Sequence, residues 1–121
     1  MPERSVCIPK GGRVDVEAYQ GDTWQLVIYF ERDGVPIDLT GYTAKMQVRA
    51  GRSSSATLLA DAICTIGSPT LGRIDVEVPK ETMAGIAAGR YWWDVQVTSG
   101  AGVRTTLAFG EVLVLPEITS G

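Results

Sequence analysis

Gly89-Arg90-Tyr91-Trp92-Trp93-Asp94-Val95-Gln96-Val97 reads as one β-strand. Tyr91, Trp93, Val95 and Val97 fall on one face, and Arg90, Trp92, Asp94 and Gln96 on the other. That period of two marks a half-buried strand. Two of the chain's three tryptophans sit here, so this strand carries an unusual share of the apolar area. It is expected to run through the middle of a small β-sandwich.

The flanks extend the pattern. Upstream, Ile74, Val76 and Val78 alternate with Arg73, Asp75 and Glu77. Pro79 to Ala88 is the one helical candidate, expected over about 80–88. Proline is tolerated at a helix start, Glu81 suits the first turn and Gly89 the C-terminal cap. Met83 and Ile86 would face the sandwich. Downstream, Ser99-Gly100-Ala101-Gly102 turns the chain into a last strand, Val103 to Leu115. Gly110 is expected to mark a bulge there.

Earlier in the chain, Val14, Val16 and Ala18 alternate with acids. Trp24, Leu26, Ile28 and Phe30 give a strong strand whose other face also holds Val27 and Tyr29. Asp33-Gly34 supplies the positive φ angles of a hairpin turn. Tyr42, Ala44, Met46 and Val48 alternate with Thr43, Lys45, Gln47 and Arg49. Gly51-Arg52-Ser53-Ser54-Ser55 reads as a flexible loop. Leu58-Leu59 and Ile63–Thr65 read as two short strand pieces. About seven strands with turn signals between them predict an all-β, Ig-like antiparallel β-sandwich with one short helix. The expected divisions are an extended N-terminal arm over 1–12, a sandwich over 13–116 and a short tail over 117–121.

The chain has 121 residues, a net charge of −3 and no histidine. The charge argues against nucleic acid or an anionic membrane as partner, since both need a basic patch. The N-terminus lacks the apolar core of a signal peptide. No apolar run approaches the roughly 20 residues of a transmembrane helix. Cys7 and Cys64 make no metal motif, and two unpaired thiols are expected rather than a disulfide. Without histidine the commonest general base and metal ligand are missing. No phosphate loop or nucleophile elbow stands in its place. The pairs Asp15/Glu17 and Asp75/Glu77 read as solvated strand faces, and Asp38 as a turn cap. No catalytic, cofactor or metal residue is assigned, and the chain is not expected to be an enzyme.

Trp92 is the most informative residue for function, because its phase puts it on the polar face of its strand. It is either an exposed anchor for a partner or a ring covered by a loop. Lys45, Gln47 and Arg49 are expected on the same outer sheet face, where they either form a cation–π contact with Trp92 or stay solvated. The interface candidates are Trp92, Arg90, Lys45, Arg49, Tyr29 and, in the arm, Ile8.

The order of these signals resembles a family of tailed-phage virion domains that includes the N-terminal domain of siphophage baseplate upper proteins. The residues that carry it are Tyr19-Gln20-Gly21-Asp22-Thr23, Asp33-Gly34 with Pro36, Asp38-Leu39-Thr40-Gly41-Tyr42 and Ala44-Lys45-Met46-Gln47-Val48-Arg49. Gly72-Arg73-Ile74, the Glu81-Thr82 segment ending at Gly89, and Arg90-Tyr91-Trp92-Trp93-Asp94-Val95 complete it. The resemblance spans about residues 13–115. It implies a virion structural protein, made in the host cytoplasm, that docks to other tail, baseplate or fibre proteins and forms a homo-oligomer of cyclic symmetry. Baseplate upper proteins continue into coil and fibre regions. This chain stops at Gly121, so a stand-alone tail-tip, baseplate or fibre-attachment adaptor is expected. The alternative is a carbohydrate-binding or adhesive module that stacks sugar rings on Trp92 and Tyr29.

Overall fold

A computed structural model describes residues 4–9, 12–53 and 55–117, with only the backbone described for 4–9. In chain order the strands are β1 (Arg4–Pro9), β2 (Gly12–Arg13), β3 (Val16–Tyr19), β4 (Trp24–Arg32), β5 (Val35–Pro36), β6 (Thr43–Arg49), β7 (Leu58–Ser68), β8 (Arg73–Val78), β9 (Gly89–Thr98) and β10 (Arg104–Leu115). A 3₁₀ turn at Pro69–Leu71 precedes β8, and a short helix α1 (Lys80–Ala84) precedes β9.

The strands follow the order β1-β4-β8-β7-β6-β9-β10-β2, with β5 on β4 and β3 on β10. They fold into two layers. β1, β4, β5 and β8 belong to the first sheet, and β2, β3, β6, β9 and β10 to the second. β7 belongs to both: Leu58–Ala62 pairs with β6, and Ile63–Ser68 with β8. The expected all-β, sandwich-like architecture is what the chain adopts. The Trp-rich strand is central, since β9 lies between β6 and β10.

Two pairings depart from the antiparallel rule. β1 runs parallel to β4, with Ile8 opposite Phe30. β2 and β3 run parallel to β10. The N-terminal chain thus pairs with an edge of each sheet in turn. Residues 4–9 are extended, as an arm would be, but their hydrogen-bonding partner is the chain's own β4. Parallel pairing between strands this far apart in sequence leaves no local signature to read.

The inward phase follows the periodicity. Trp93, Val95 and Val97 of β9 are buried against Leu26, Ile28 and Phe30 of β4 and Ile74, Val76 and Val78 of β8, and no polar or charged side chain is buried among the described residues. The hairpin between β4 and β5 turns at Asp33 (φ 54°) and Gly34 (φ 80°), as the Asp-Gly pair predicts.

Three local expectations need correction. The helix ends at Ala84, and Gly85 rather than Gly89 caps it, donating its N–H to the Thr82 and Met83 carbonyls. Gly89 already belongs to β9. Met83 and Ile86 are nevertheless both buried, so one turn and its cap suffice to close the core there. The two strand pieces over 58–65 are one strand of 11 residues. The bulge in β10 lies at Leu107, between Thr106 and Ala108, and it turns both Leu107 and Ala108 inward.

Gly110 serves a different purpose. It faces Trp93 across the β9–β10 ladder. The Trp93 indole N–H donates to the Val14 carbonyl at 3.0 Å. A Cβ at Gly110 would stand 1.6 Å from that oxygen. Around it, the Val14 N–H donates to the Phe109 carbonyl (2.9 Å). The Asp15 carboxylate accepts from the Glu111 N–H (2.9 Å). The break between β2 and β3 at Val14 and Asp15 is therefore a close crossing over β10, and only glycine leaves room for it.

The topology rules on the cysteines too. Cys7 pairs with Tyr29 in β4, and Cys64 with Val76 in β8, so β4 and β8 lie between them. At roughly 4.8 Å per strand spacing the two Cα atoms are at least about 14 Å apart, and a three-residue stagger along the strands adds to that, well beyond the roughly 7 Å reach of a disulfide.

Gly110→Ala is predicted to cost about 3 kcal/mol or more, since the added methyl meets backbone. Trp93→Phe should cost about 1–3 kcal/mol by leaving the Val14 carbonyl unpaired. Chemical denaturation reads both, and wild-type stability in Gly110→Ala would contradict the close crossing. Burial pushes the Cys64 thiol up from 9.0 to about 11. Its thiolate forms in the unfolded chain before the folded one, so this group's contribution is full below pH 9 and is lost as pH rises toward 11. Iodoacetamide at pH 8, with the modified cysteine located by peptide mapping, should label half-buried Cys64 much more slowly in the native protein than after unfolding; equal rates at Cys64 would disprove its burial.

Candidate functional site

The outer face of the second sheet gathers most of the interface residues expected from sequence. β6 contributes Lys45, Gln47 and Arg49, and β9 contributes Arg90, Trp92, Asp94 and Gln96. In register, Arg49 lies opposite Trp92, Gln47 opposite Asp94 and Lys45 opposite Gln96. On the other flank, β10 sets Glu111 opposite Trp92 and Phe109 opposite Asp94. The loop at Gly51–Ser53 rises along one side. All of these except Arg90 and Glu111, together with Arg104 and Thr106 of β10, line an open groove of about 630 Å³; Arg90 and Glu111 lie beyond it, beside Asp15 and Glu17.

Trp92 is half-buried rather than fully presented. The Arg52 guanidinium lies 4.8 Å from its ring centre and that of Arg13 5.1 Å. Arg52 also lies 5.3 Å from the Phe109 ring. A cation–π contact exists at Trp92, but Arg13 and Arg52 make it, not Lys45 or Arg49. The reason is local. Arg49 donates to the Ala56 carbonyl (2.8 Å) and to Gln47 Oε1 (2.9 Å), which holds its guanidinium toward the 50–57 loop. Lys45 lies further along the strand, opposite Gln96. Arg13 and Arg52 were missed because they sit in segments with no strand periodicity, and only the folded chain brings their long side chains over the ring.

Charge on this face is uneven. Arg90 pairs with Glu111 at 2.6 Å and Arg13 with Asp15 at 3.1 Å. Both pairs are exposed enough to contribute little stability. Lys45, Arg49, Arg52 and Arg104 form no ion pair among the described residues, although all of them line the groove. Asp94 is the acid among them. Burial raises its pKa, and the nearby Arg49 charge partly offsets that.

Tyr29 is elsewhere. It projects from β4 in the first sheet, where its hydroxyl accepts from Arg73 Nη1 (3.1 Å). Arg73 in turn pairs with Asp75 at 2.7 Å. Tyr29 and Trp92 therefore form no common platform. An interface role for the Ile8 side chain lies outside the described residues.

The acid pairs are engaged as strand faces. Asp15 accepts from Arg13 and Glu111, which lowers its pKa. Glu77 accepts from Gln25 at 3.0 Å. Asp38 caps its turn, accepting from the Thr40 N–H (2.9 Å) and hydroxyl (2.6 Å), and these bonds hold its carboxyl below the usual range.

Comparison with known proteins gives a consistent result. The family model of the BppU N-terminal domain matches residues 10–110. Among solved structures, the N-terminal domain of phage TP901-1 ORF48 aligns with a TM-score of 0.67 at 11% identity, over 94% of this chain and 98% of that one. At that identity the likeness is one of fold. CopC from Methylosinus trichosporium OB3b aligns with a TM-score of 0.49 at 15% identity, over 93% of this chain and 90% of that one. A search among curated proteins finds no match.

Arg52→Ala should uncover Trp92 at a cost of about 0.5–1 kcal/mol, the worth of an exposed cation–π contact. Acrylamide quenching of tryptophan fluorescence should rise while the midpoint of unfolding barely moves. Unchanged quenching would mean that Arg52 does not cover the ring.

Proposed function

Because the chain belongs to the BppU N-terminal domain family and so has a structural role in a phage tail or baseplate, we propose that it acts as an adaptor subunit that docks a neighbouring tail protein through the Trp92 face. Membership already makes it a virion component that associates with other tail or baseplate proteins. Which surface does so, and in what assembly, is our reading. One observation carries it. A sheet face with the half-buried Trp92 beside Phe109 also holds Lys45, Arg49, Arg52 and Arg104, all four without ion-pair partners among the described residues. Large rings that lose little entropy on burial, set among unpaired cations, are the make-up of a binding hot spot.

The proposed role is binding, with no catalytic part. In a symmetric tail the same contact, repeated around the axis, would give a ring of copies. Stacking of neutral sugars is the weaker reading: two guanidinium groups already lie over Trp92, and Tyr29 is on the other sheet.

The test is light scattering of the purified chain, alone and mixed with the products of its two flanking genes. A stable complex with one of them is expected, weakened at least tenfold by Trp92→Ala. A complex indifferent to Trp92→Ala would move the docking surface elsewhere, and no complex with either neighbour would favour a free ligand-binding module.

A further inference from the structure

We infer that the groove receives an extended, carboxylate-rich segment of the partner protein. This rests on the docking face proposed above and adds the chemistry of what lies in it.

The groove is cationic against the trend of the chain. Net charge overall is −3, yet Lys45, Arg49, Arg52 and Arg104 line the groove with Asp94 as the opposing acid. Unpaired cations on an acidic protein are a local field that selects an anionic partner and steers its approach. Guanidinium groups bind carboxylates through paired, charge-assisted hydrogen bonds.

The spacing favours a peptide. Lys45 and Arg49 leave the same face of one strand, four residues apart, which is about 13 Å at strand rise, with the Arg49 guanidinium turned toward Ala56 at the loop end. An extended segment lying along β6 and β9 presents every second side chain to the groove. It can therefore repeat that interval with acids and place apolar side chains between them, over Phe109 and the Trp92 edge. A phosphate polymer carries charge at a closer, fixed interval and has no apolar groups for the two rings.

Asp94 gives the proposal a second handle. Its carboxylate lies in the groove between Gln47 and Phe109 in register, where it repels an incoming acid. Removing that charge should strengthen binding, which no purely structural role for Asp94 would produce.

The experiment uses the whole chain with a fluorescein-labelled glutamate-rich peptide, a length-matched polyphosphate and dextran, read by fluorescence anisotropy at low and moderate salt. The expected result is binding of the glutamate peptide that weakens with salt. Lys45→Gln and Arg49→Gln should each lower its affinity at least threefold, and Asp94→Asn should raise it at least twofold. Arg73→Gln on the opposite sheet should leave it unchanged, and circular dichroism checks that each variant folds. No binding of the glutamate peptide, preference for polyphosphate or dextran, or loss of affinity in Asp94→Asn overturns the inference. The same variants are then tested on the natural partner complex. If that complex survives Lys45→Gln and Arg49→Gln but not Trp92→Ala, the adaptor reading stands and the acidic-segment inference falls. If it survives Trp92→Ala as well, the docking face itself is wrong.

Discussion

The Trp93 indole crosses beneath Gly110 to reach the Val14 carbonyl, and the arrangement of the N-terminal chain depends on that bond. It joins the middle strand of the second sheet to a segment 79 residues earlier in sequence. Gly110 makes the crossing sterically feasible, and the Asp15 carboxylate on the Glu111 N–H fixes it from the other side. Once Val14 is pinned, Gly12 and Arg13 align on one stretch of β10, and Val16 to Tyr19 on the next. The chain before them is then free to pair with β4. Part of the same N-terminal segment thus covers β4 in one sheet and β10 in the other, so that β1 on one side and β2 and β3 on the other become the outermost strands.

The outer faces of the two sheets differ as surfaces for a partner. The first sheet presents Arg73, Asp75, Glu77 and Gln25 tied to one another or to Tyr29. Its polar groups are largely spent on internal contacts. Beside the Arg13–Asp15 and Arg90–Glu111 pairs, the second sheet presents Lys45, Arg49, Arg52 and Arg104, which form no ion pair among the described residues, around two aromatic rings. An ion pair must be broken before either partner binds elsewhere, whereas among the described residues Arg49 is held only by the neutral Ala56 carbonyl and Gln47, and Arg52 only by the two rings.

The fold was legible because its main strands keep a strict period of two with bulky residues inside. β9 and β8 are the clearest cases. β7 was not, although it alternates as well: its inward residues are the small Ala60, Ala62 and Cys64, while Ile63 points outward and is 55% exposed. Hydrophobic contrast, not periodicity itself, is what a reader of sequence sees. Gly110 was rightly marked as special but for the wrong reason, because a close approach by a distant backbone leaves the same single-glycine signal as a bulge. On the site, the phase of β6 and β9 placed Lys45, Gln47, Arg49, Trp92 and Asp94 on a shared face. Arg13, Arg52 and Phe109 could not be placed there, because loop geometry and the Leu107 bulge bring them in. The parallel partner of β1 was equally out of reach, since pairing across this much chain has no local cause.

Hydrogen–deuterium exchange of the chain, free and bound to its neighbouring tail protein, tests the central claim most directly. The account predicts protection on binding in Thr43–Arg49, the 50–53 loop and Gly89–Gln96, with Trp24–Arg32 and Arg73–Val78 unchanged. Protection confined to β4 and β8 would put the partner on the opposite sheet and contradict it.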